Sequence, residues 1–418
     1  MVKVFSNSWA LLLGMLLLMV GNGLQGTLLG IRGEIEGFST SSMSLVMSAY
    51  FMGFLGGSRL APGMIRRVGH VRVFAALASF ISAVLILYPT WVNPYIWAVE
   101  RLVIGFCFSG VYVTAESWLN NDTTNETRGQ TLSAYMIVQM LGIVLAQMLL
   151  LVADPSGFVL FIIPSVLVSI SFAPILLSIS PTPAFEATQP MSLHQLLQIS
   201  PLGCVGIFLL GGVFSAQFGM SAVYGAEVGL SVAQISLFAA TFYIFATLLQ
   251  YPLGWLSDRM DRRLLILMTA LVACGGALIG YFFSDEYVLL LVAAGLIGGF
   301  SNPLYSLLIA HANDYLDFED MAAASGGLVF ITGVGAIAGP FVIGGMMELV
   351  GPHGYFAVIA ILLIVLAGYA GYRMTQRPAM ASDETAYYMP ISPGASVVAV
   401  ELAQEHAIDV AKEESAEV

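Results

Sequence analysis

Charged side chains are scarce in this sequence. Only 10% of its 418 residues are Asp, Glu, Lys or Arg, whereas an ordinary soluble domain has about 25%. Hydrophobic residues make up 58%, and there are 43 glycines. A water-soluble fold of this length cannot hide so much apolar surface, whereas helices in a bilayer use small residues to pack closely. Composition therefore predicts an all-α protein embedded in a lipid bilayer.

Lysine and cysteine are also rare. The two lysines, Lys3 and Lys412, do not follow glycine, so the chain contains no Walker-type phosphate loop and we expect no ATP-driven work by this chain alone. The three cysteines, Cys107, Cys204 and Cys274, lie in apolar runs. A disulfide framework or a zinc site makes no sense there, and we interpret them as small hydrophobic side chains. No metal or cofactor is predicted.

Long apolar stretches predict twelve transmembrane helices. Crossing the hydrocarbon core takes about 20 mostly apolar residues per helix. The predicted spans cover residues 9–31, 43–62, 73–90, 95–119, 131–152, 157–180, 201–226, 231–256, 264–283, 287–313, 322–348 and 354–373. The first span is too long for a cleaved signal peptide, and we interpret it as a retained helix.

The chain also repeats itself at a long offset. The stretch "RRVGHVR" at residues 66–72 precedes "DRMDRRL" at 258–264 by 192 positions, and each lies between the second and third helices of its half. This repeat predicts two pseudo-symmetric six-helix bundles, residues 1–180 and 201–373. A polar, proline-containing linker at 181–200 joins them.

Basic residues predict the orientation of the chain in the membrane. One set of loops holds Arg66, Arg67, Arg72, Arg128, Arg259, Arg262 and Arg263, and the other holds only Arg32. The positive-inside rule then places both termini in the cytoplasm. The tail at residues 374–418 carries eight acidic and two basic residues, and we expect it to be disordered or to form at most one short surface helix. The chain shows no basic footprint for nucleic acid.

One loop sequence resembles a known family. The stretch "GWLSDRMDRR" at residues 254–263 is similar to the loop after the second helix of each half in the major facilitator superfamily, G-x-x-x-D-R-x-G-R-R. The matching positions are Gly254, Asp258, Arg259, Arg262 and Arg263, and Asp261 replaces a glycine. The earlier copy, "PGMIRRVGH", keeps Arg67 and Gly69 but has Arg66 in place of the acid. The resemblance covers residues 9–373 and implies the family's fold of twelve helices in two bundles.

Further stretches narrow this resemblance. "AESWLN" at residues 115–120 and "RGQTLSAYM" at 128–136 resemble the bacterial branch of YcaD-like permeases. The eleventh span resembles the family's glycine–proline helix motif, and its expected helix-packing positions are Gly335, Gly339 and Pro340. The fifth span has Ala146 and Gln147 where drug/proton antiporters have glycine and proline. This difference argues against a standard antiporter of that kind.

The resemblance implies a transporter rather than an enzyme. We expect a secondary active transporter of a small solute that works by alternating access as a monomer in the bacterial inner membrane. Proton coupling stays open, and the branch implies no established substrate. The alternative is a membrane sensor or scaffold of the same fold that transports nothing.

Charged residues at the cytoplasmic end predict a gate. In this family the loop acid lies against the start of the fifth or eleventh helix, near the positive end of its dipole. We expect Asp258 to pair with Arg128, and Arg66 or Arg67 to pair with Glu319 or Asp320. Glu116 has two interpretations: a member of this salt-bridge network, or a buried proton carrier.

Polar residues inside the spans predict the substrate cavity. Arg101 lies within the fourth span, where an arginine is costly and usually faces a partner or a transport path. The cavity candidates are Asn22, Gln25, Arg101, Tyr112, Gln139, Gln217, Tyr224, Asn302 and Tyr305. Each has an alternative role as a polar contact between helices. We expect Glu100, next to Arg101, to be solvated or to lie among the lipid headgroups.

The stretch "GNGLQG" at residues 21–26 fits the dinucleotide pattern G-x-G-x-x-G. That pattern indicates a nucleotide site only between a strand and a helix of a βαβ unit. Here it lies inside a membrane span. We therefore interpret its glycines as helix-packing positions.

Overall fold

The structure is a computed structural model, and it describes residues 2–121, 125–174, 191–377 and 386–417. Side chains are described for residues 9–119, 130–174, 191–317, 320–377 and 386–408. Within these ranges every regular element is a helix. The first half consists of α1 (Val2–Ile35), α2 (Thr40–Val68), α3 (His70–Leu87), α4 (Pro94–Asn121), α5 (Asn125–Leu149) and α6 (Val159–Ser171).

The second half repeats this arrangement after a short connecting helix, α7 (Leu193–Ile199). Its first span is α8 (Pro201–Ser215), a π-helical turn (Ala216–Met220) and α9 (Ser221–Glu227) in succession. The other helices are α10 (Val232–Ser257), α11 (Arg262–Phe282), α12 (Tyr287–Asn313), α13 (Phe318–Val350), α14 (Gly354–Met374) and, in the tail, α15 (Val397–Glu417).

The helices match the predicted spans. In the described part of the chain, ten helices are long and apolar enough to cross a membrane. Two more complete the twelve. Helix α2 is less apolar because it carries buried serines such as Ser44 and Ser48. Helix α6 is apolar over its 13 residues, and the rest of the predicted sixth span falls largely outside the described residues. The prediction of an all-helical membrane fold is confirmed.

Close backbone contacts hold each half together and repeat between the halves. Helices α2 and α4 approach so closely that a methyl group on Gly105 would overlap the carbonyl of Tyr50. In the second half, a methyl group on Gly298 would overlap the backbone of Phe242 in the same way. Phe242 follows Tyr50 by 192 positions, and Gly298 follows Gly105 by 193. The duplication is therefore visible in the packing as well as in the sequence.

The glycine–proline motif of α13 also lies in a close crossing. A side chain at Gly335 would meet the carbonyl of Phe208 on α8, and one at Gly339 would meet the hydroxyl of Ser215 and the backbone of Gly212. Pro340 lies inside the same helix. These glycines thus let α13 pack against α8.

The two halves meet unevenly. We call the end of the bundle that holds loops 66–72 and 258–263 the tail face, and the other end the opposite face. At the opposite face the halves are joined: Thr40 donates a hydrogen bond to Glu227 over 3.3 Å, and the Ser41 amide donates to Glu348 over 2.9 Å. At the tail face, the described residues of α4 and α5 make no extended contact with α12 or α13.

The tail fills the gap at the tail face, which corrects the expectation of disorder. Residues 386–396 run as an extended segment between the halves, and α15 then packs against α4, α5 and α13. Ile391, Val400 and Leu402 are buried. For the described residues 386–417 the expectation was wrong, because composition describes a free peptide, whereas these residues find their partners in distant parts of the chain. Residues 378–385 and 418 lie outside the described part.

Candidate functional site

A chain of hydrogen bonds runs through the middle of the first half. The guanidinium of Arg101 on α4 donates to the side-chain oxygen of Gln25 on α1. Gln25 donates to Asn22 Oδ1 over 3.0 Å, and Asn22 donates to the hydroxyls of Tyr112 and Tyr50 over 2.8 and 3.1 Å. Four of these residues were predicted from the sequence. Tyr50, on α2, was not.

Arg101 is fully buried at 0% exposure. Its guanidinium carbon lies 4.7 Å from the centre of the Tyr50 ring, a cation–π contact. Among the described side chains no carboxylate lies within 4.0 Å of it. An unpaired buried charge costs several kcal/mol. This arginine therefore favours the arrival of a negatively charged group.

Glu100 does not match its prediction. It is only 6% exposed, so its carboxyl group is not solvated as one of the two expectations had it. Neither carboxyl oxygen has a hydrogen-bond partner among the described residues. The prediction placed Glu100 at the outer end of α4 but did not foresee that neighbouring helices cover that end. Because an isolated ionised carboxylate is very costly away from water, this group is expected to carry a proton.

A small central cavity of about 60 Å³ lies between the halves next to this chain. Three predicted residues line it: Asn22, Tyr112 and Gln139. The remaining polar and aromatic lining includes Tyr50, Phe54, Phe214, Phe218, Tyr243, Thr332 and the tail residues Ser392–Ala395. This volume has room for only a few water molecules. The conformation is thus closed around its centre.

A second polar cluster lies in the second half. Gln217 donates to Ser301 over 2.7 Å and accepts from Asn302 over 2.8 Å. Gln217 belongs to the π-helical turn, a feature that often marks a functional site and that the sequence pattern did not reveal. Asn302 also lines a side cavity of about 570 Å³ between α5, α10 and the tail.

Five of the nine predicted cavity residues line neither cavity. Gln25, Arg101 and Gln217 belong to the two hydrogen-bonded clusters described above, whereas Tyr224 and Tyr305 lie outside them. Tyr224 is buried in an aromatic cluster, with its ring stacked 4.9 Å from Tyr355. Tyr305 is buried in the packed interior around α12. Both were chosen because they share a helix face with polar neighbours. That reasoning fixes the direction of a side chain but not the helix that covers it.

The loop motif of the second half forms a compact ion network. Arg262 is buried, pairs with Asp314 and donates to Ser257 over 2.9 Å; Asp258 lies 3.8 Å away. Arg263 pairs with Asp261 at 3.0 Å. The remaining motif arginine, Arg259, lies over the ring of Trp255 at 4.3 Å. Gly254, the first motif residue, packs against the ring of Tyr388 from the tail.

Burial and hydrogen-bonding partners shift the pKa values of the carboxylates in this network. Burial raises the pKa of Asp258 and of Asp314, while the nearby Arg262 opposes that rise. Burial also acts to raise the pKa of Asp261, but its hydrogen bonds from Arg263 outweigh this and lower it. Asp261, which stands where the family has glycine, thus pairs with Arg263.

The predicted gate pairs of the first half are not formed in the described residues. Arg66 and Arg67 are exposed, and neither pairs with Asp320. The side chains of Arg128 and Glu319 lie outside the described residues. Gly69 separates α2 from α3 at a φ of 83°, a conformation that favours glycine.

Glu116 has a different environment from the predicted salt-bridge network. It is buried and accepts hydrogen bonds from the hydroxyls of Tyr135 (2.9 Å) and Ser396. Where side chains are described, no base lies within 4.0 Å of it. Ser396 belongs to the tail, so Glu116 joins the tail to the first half.

Comparisons with known proteins agree with this architecture. A model described as Major Facilitator Superfamily matches residues 202–386, and one described as Sugar (and other) transporter matches residues 31–182. The chain is 26% identical to an uncharacterized MFS-type transporter YcaD of Salmonella arizonae over 369 residues, which is 86% of this chain and 95% of that protein. The counterpart from Salmonella typhi is 25% identical over 354 residues, 84% of this chain and 91% of that protein.

Solved transporters share the fold. The crystal structure of the nucleoside transporter NupG has a TM-score of 0.67 at 15% identity, covering 90% of this chain and 100% of that one. A bacterial homolog of the human lysosomal transporter Spinster, in an inward-facing and unoccupied conformation, has a TM-score of 0.67 at 13% identity, covering 96% and 97%. At such identities the likeness concerns the fold alone.

Two six-helix bundles around a polar central site, taken with these relatives, indicate a multi-pass membrane transporter of a small molecule. The two family models and the YcaD-type relatives together support the assignment of this chain as a secondary transporter of the major facilitator superfamily.

Proposed function

We propose that this transporter carries a small anionic or zwitterionic solute by alternating access. The observation that carries the proposal is Arg101, a fully buried cation with no described carboxylate within 4.0 Å. A bound carboxylate or phosphate would supply the missing negative charge, and a planar guanidinium can hold such a group through two parallel hydrogen bonds. Gln25, Asn22 and Tyr112 extend the polar surface from Arg101 to the central cavity.

Alternating access requires a site between the two halves, and the central cavity that Asn22 and Tyr112 line has residues of both halves in its wall. The ring of Tyr50 lies against the guanidinium of Arg101 while its hydroxyl reaches Asn22 beside the cavity. A modest shift of α2 would therefore expose Arg101 to a solute. The excess of arginine at the tail face favours a cytoplasmic location for that face and for both termini. On that assignment the helices are closed to the outside and separated on the inside.

We also propose that Glu100 carries a coupling proton. Its carboxyl group is buried, lies next to Arg101 in the chain and has no hydrogen-bond partner in the described residues. Opening of the site to water would stabilise the ionised form, and closing would favour the protonated form. The group can thus take up and release a proton as the transporter cycles, which suits proton coupling in a monomer of the bacterial inner membrane.

Two assays in proteoliposomes separate the parts of this proposal. A thermal-shift screen of small anions first identifies a ligand, because a ligand that binds only the folded state raises its melting temperature. The labelled ligand is then followed in counterflow and in gradient-driven uptake. Glu100→Gln is expected to keep counterflow and to lose uptake driven by a proton gradient. Equal loss of both would refute the proton role, and a ligand that binds but never exchanges would indicate a sensor instead.

A further inference from the structure

The extended part of the tail is bound by the loop motif of the second half. The Ala386 amide donates to Asp314 over 2.9 Å, and its carbonyl accepts from Arg262 over 2.6 Å. Two residues further on, the Tyr388 amide donates to Asp258 over 3.1 Å. The Tyr388 hydroxyl accepts from Gln250 over 2.9 Å. Charged groups of the motif thus recognise the backbone of a peptide.

The next residues enter the space between the halves. Ile391 is buried, and its backbone exchanges two hydrogen bonds with Ser306, of 2.9 and 3.0 Å. Residues Ser392–Ala395 then form part of the wall of the central cavity. The tail therefore reaches the proposed substrate site itself, and its presence contributes to the small volume of that cavity.

Beyond the cavity the tail crosses to the first half. Ser396 donates to the buried carboxylate of Glu116 on α4. Helix α15 then returns toward the second half, where Gln404 donates to Asn313 over 2.9 Å and accepts from Ser325. Contacts on both halves mean that the tail bridges the gap that α4, α5, α12 and α13 leave open.

We propose that this gap between α4, α5, α12 and α13 at the tail face is a peptide-binding site. The tail, residues 386–417, is its built-in ligand and closes the solute route at that face. The recognition chemistry is that of an extended peptide: backbone groups supply the hydrogen bonds and alternate side chains fill pockets. Tethering to α14 keeps the local concentration of the tail high, so that modest affinity suffices for occupancy. Transport then requires the tail to leave, and any factor that binds the free tail would activate the transporter.

Chemical labelling tests this proposal without a known substrate. A site for a specific protease is placed within residues 378–385, and Thr332→Cys serves as the reporter because Thr332 lines the central cavity. The purified full-length protein is compared before and after cleavage and removal of the tail. Maleimide labelling of the reporter is expected to rise about tenfold or more, since only molecules with an undocked tail react before cleavage. Adding a peptide of residues 386–417 is expected to restore protection.

Internal controls make the result decisive. The native Cys107, Cys204 and Cys274 are buried and should stay unreactive after cleavage. Gln404→Ala should raise reporter labelling in the uncut protein, whereas Gln376→Ala, an exposed glutamine before the docked segment, should not. Unchanged labelling after tail removal would overturn the proposal. So would equal exposure of the native cysteines, because the tail would then be part of the fold and not a removable ligand. Neither readout depends on what the protein transports.

Discussion

Replacing Arg101 by methionine separates a binding role from a structural one. The substitution keeps a long side chain and removes the charge. In the native protein the guanidinium gains about 2 kcal/mol from a desolvated cation–π contact and about 1.5–3 kcal/mol from a charged hydrogen bond. These gains are set against a desolvation cost of several kcal/mol for a buried ion. The folded state should therefore tolerate the loss.

Ligand binding should respond in the opposite direction. Truncating one partner of a buried, hydrogen-bonded charge pair costs about 2–5 kcal/mol, which corresponds to roughly 30-fold to 4,000-fold weaker affinity at about 1.4 kcal/mol per factor of ten. We expect Arg101→Met to melt at or above the wild-type temperature and to lose the thermal shift produced by the anionic ligand. Arg101→Lys keeps the charge without the planar fork and should retain part of the shift.

The assay is a thermal-shift titration of purified protein with the ligand found by screening. Arg59→Met is the matched control, because Arg59 is exposed and also lies over an aromatic ring, that of Phe330 at 5.1 Å. It should leave the ligand shift unchanged. If Arg101→Met melted much lower and still responded fully to the ligand, Arg101 would be a structural residue and the proposed anionic substrate would have no basis.

Two further predictions concern packing and the tail. Gly105→Ala places a methyl group on the Tyr50 carbonyl and should destabilise the protein by about 1–3 kcal/mol or more. Gly275→Ala is the control and should be neutral, because nothing lies within 4 Å of the added methyl group. Equal melting temperatures of the two variants would contradict the packing argument. Burial, aided by the Glu405 charge, raises the pKa of Glu401 to about 7. The docked tail therefore favours the protonated carboxyl group, and docking of α15 should be strongest at low pH and weaken as the pH rises toward 8. For one proton, the docking equilibrium constant changes by at most about tenfold per pH unit. Labelling of Thr332→Cys, normalised to a free thiol, should therefore be slower at low pH, and Glu401→Gln should flatten the profile; a slope that survives this substitution would assign the pH dependence to another group.

The helical architecture could be predicted because each span is a local property. A run of apolar residues of sufficient length identifies a membrane helix wherever it packs. The repeat of "RRVGHVR" and "DRMDRRL" gave the two halves, and Gly105 and Gly298 show the same relation in space. The ion network at the tail face was harder to predict. Arg262 belongs to the matched motif, but its partner Asp314 lies 52 residues away on another loop.

The polar site was predicted in part for a similar reason. Helical spacing shows which residues share a face, so Asn22 and Gln25 were found together. It does not show which helix covers that face. Tyr50 was missed because α2 was not expected to line the cavity, and Tyr224 was included although an aromatic cluster covers it. Assigning such residues requires the crossing of several helices, which no single stretch of sequence contains.

The tail illustrates how local and tertiary information differ. Its helix has 21 residues and many acidic side chains, and an isolated helix of this kind is marginal in water. An expectation of disorder is therefore reasonable for the free segment. In the folded chain Ser396 meets Glu116, and Gln404 meets Asn313, so distant partners stabilise what local propensity does not. A segment whose order depends on docking also loses that order on release, and this is the physical basis on which the tail can act as a reversible ligand of its own transporter.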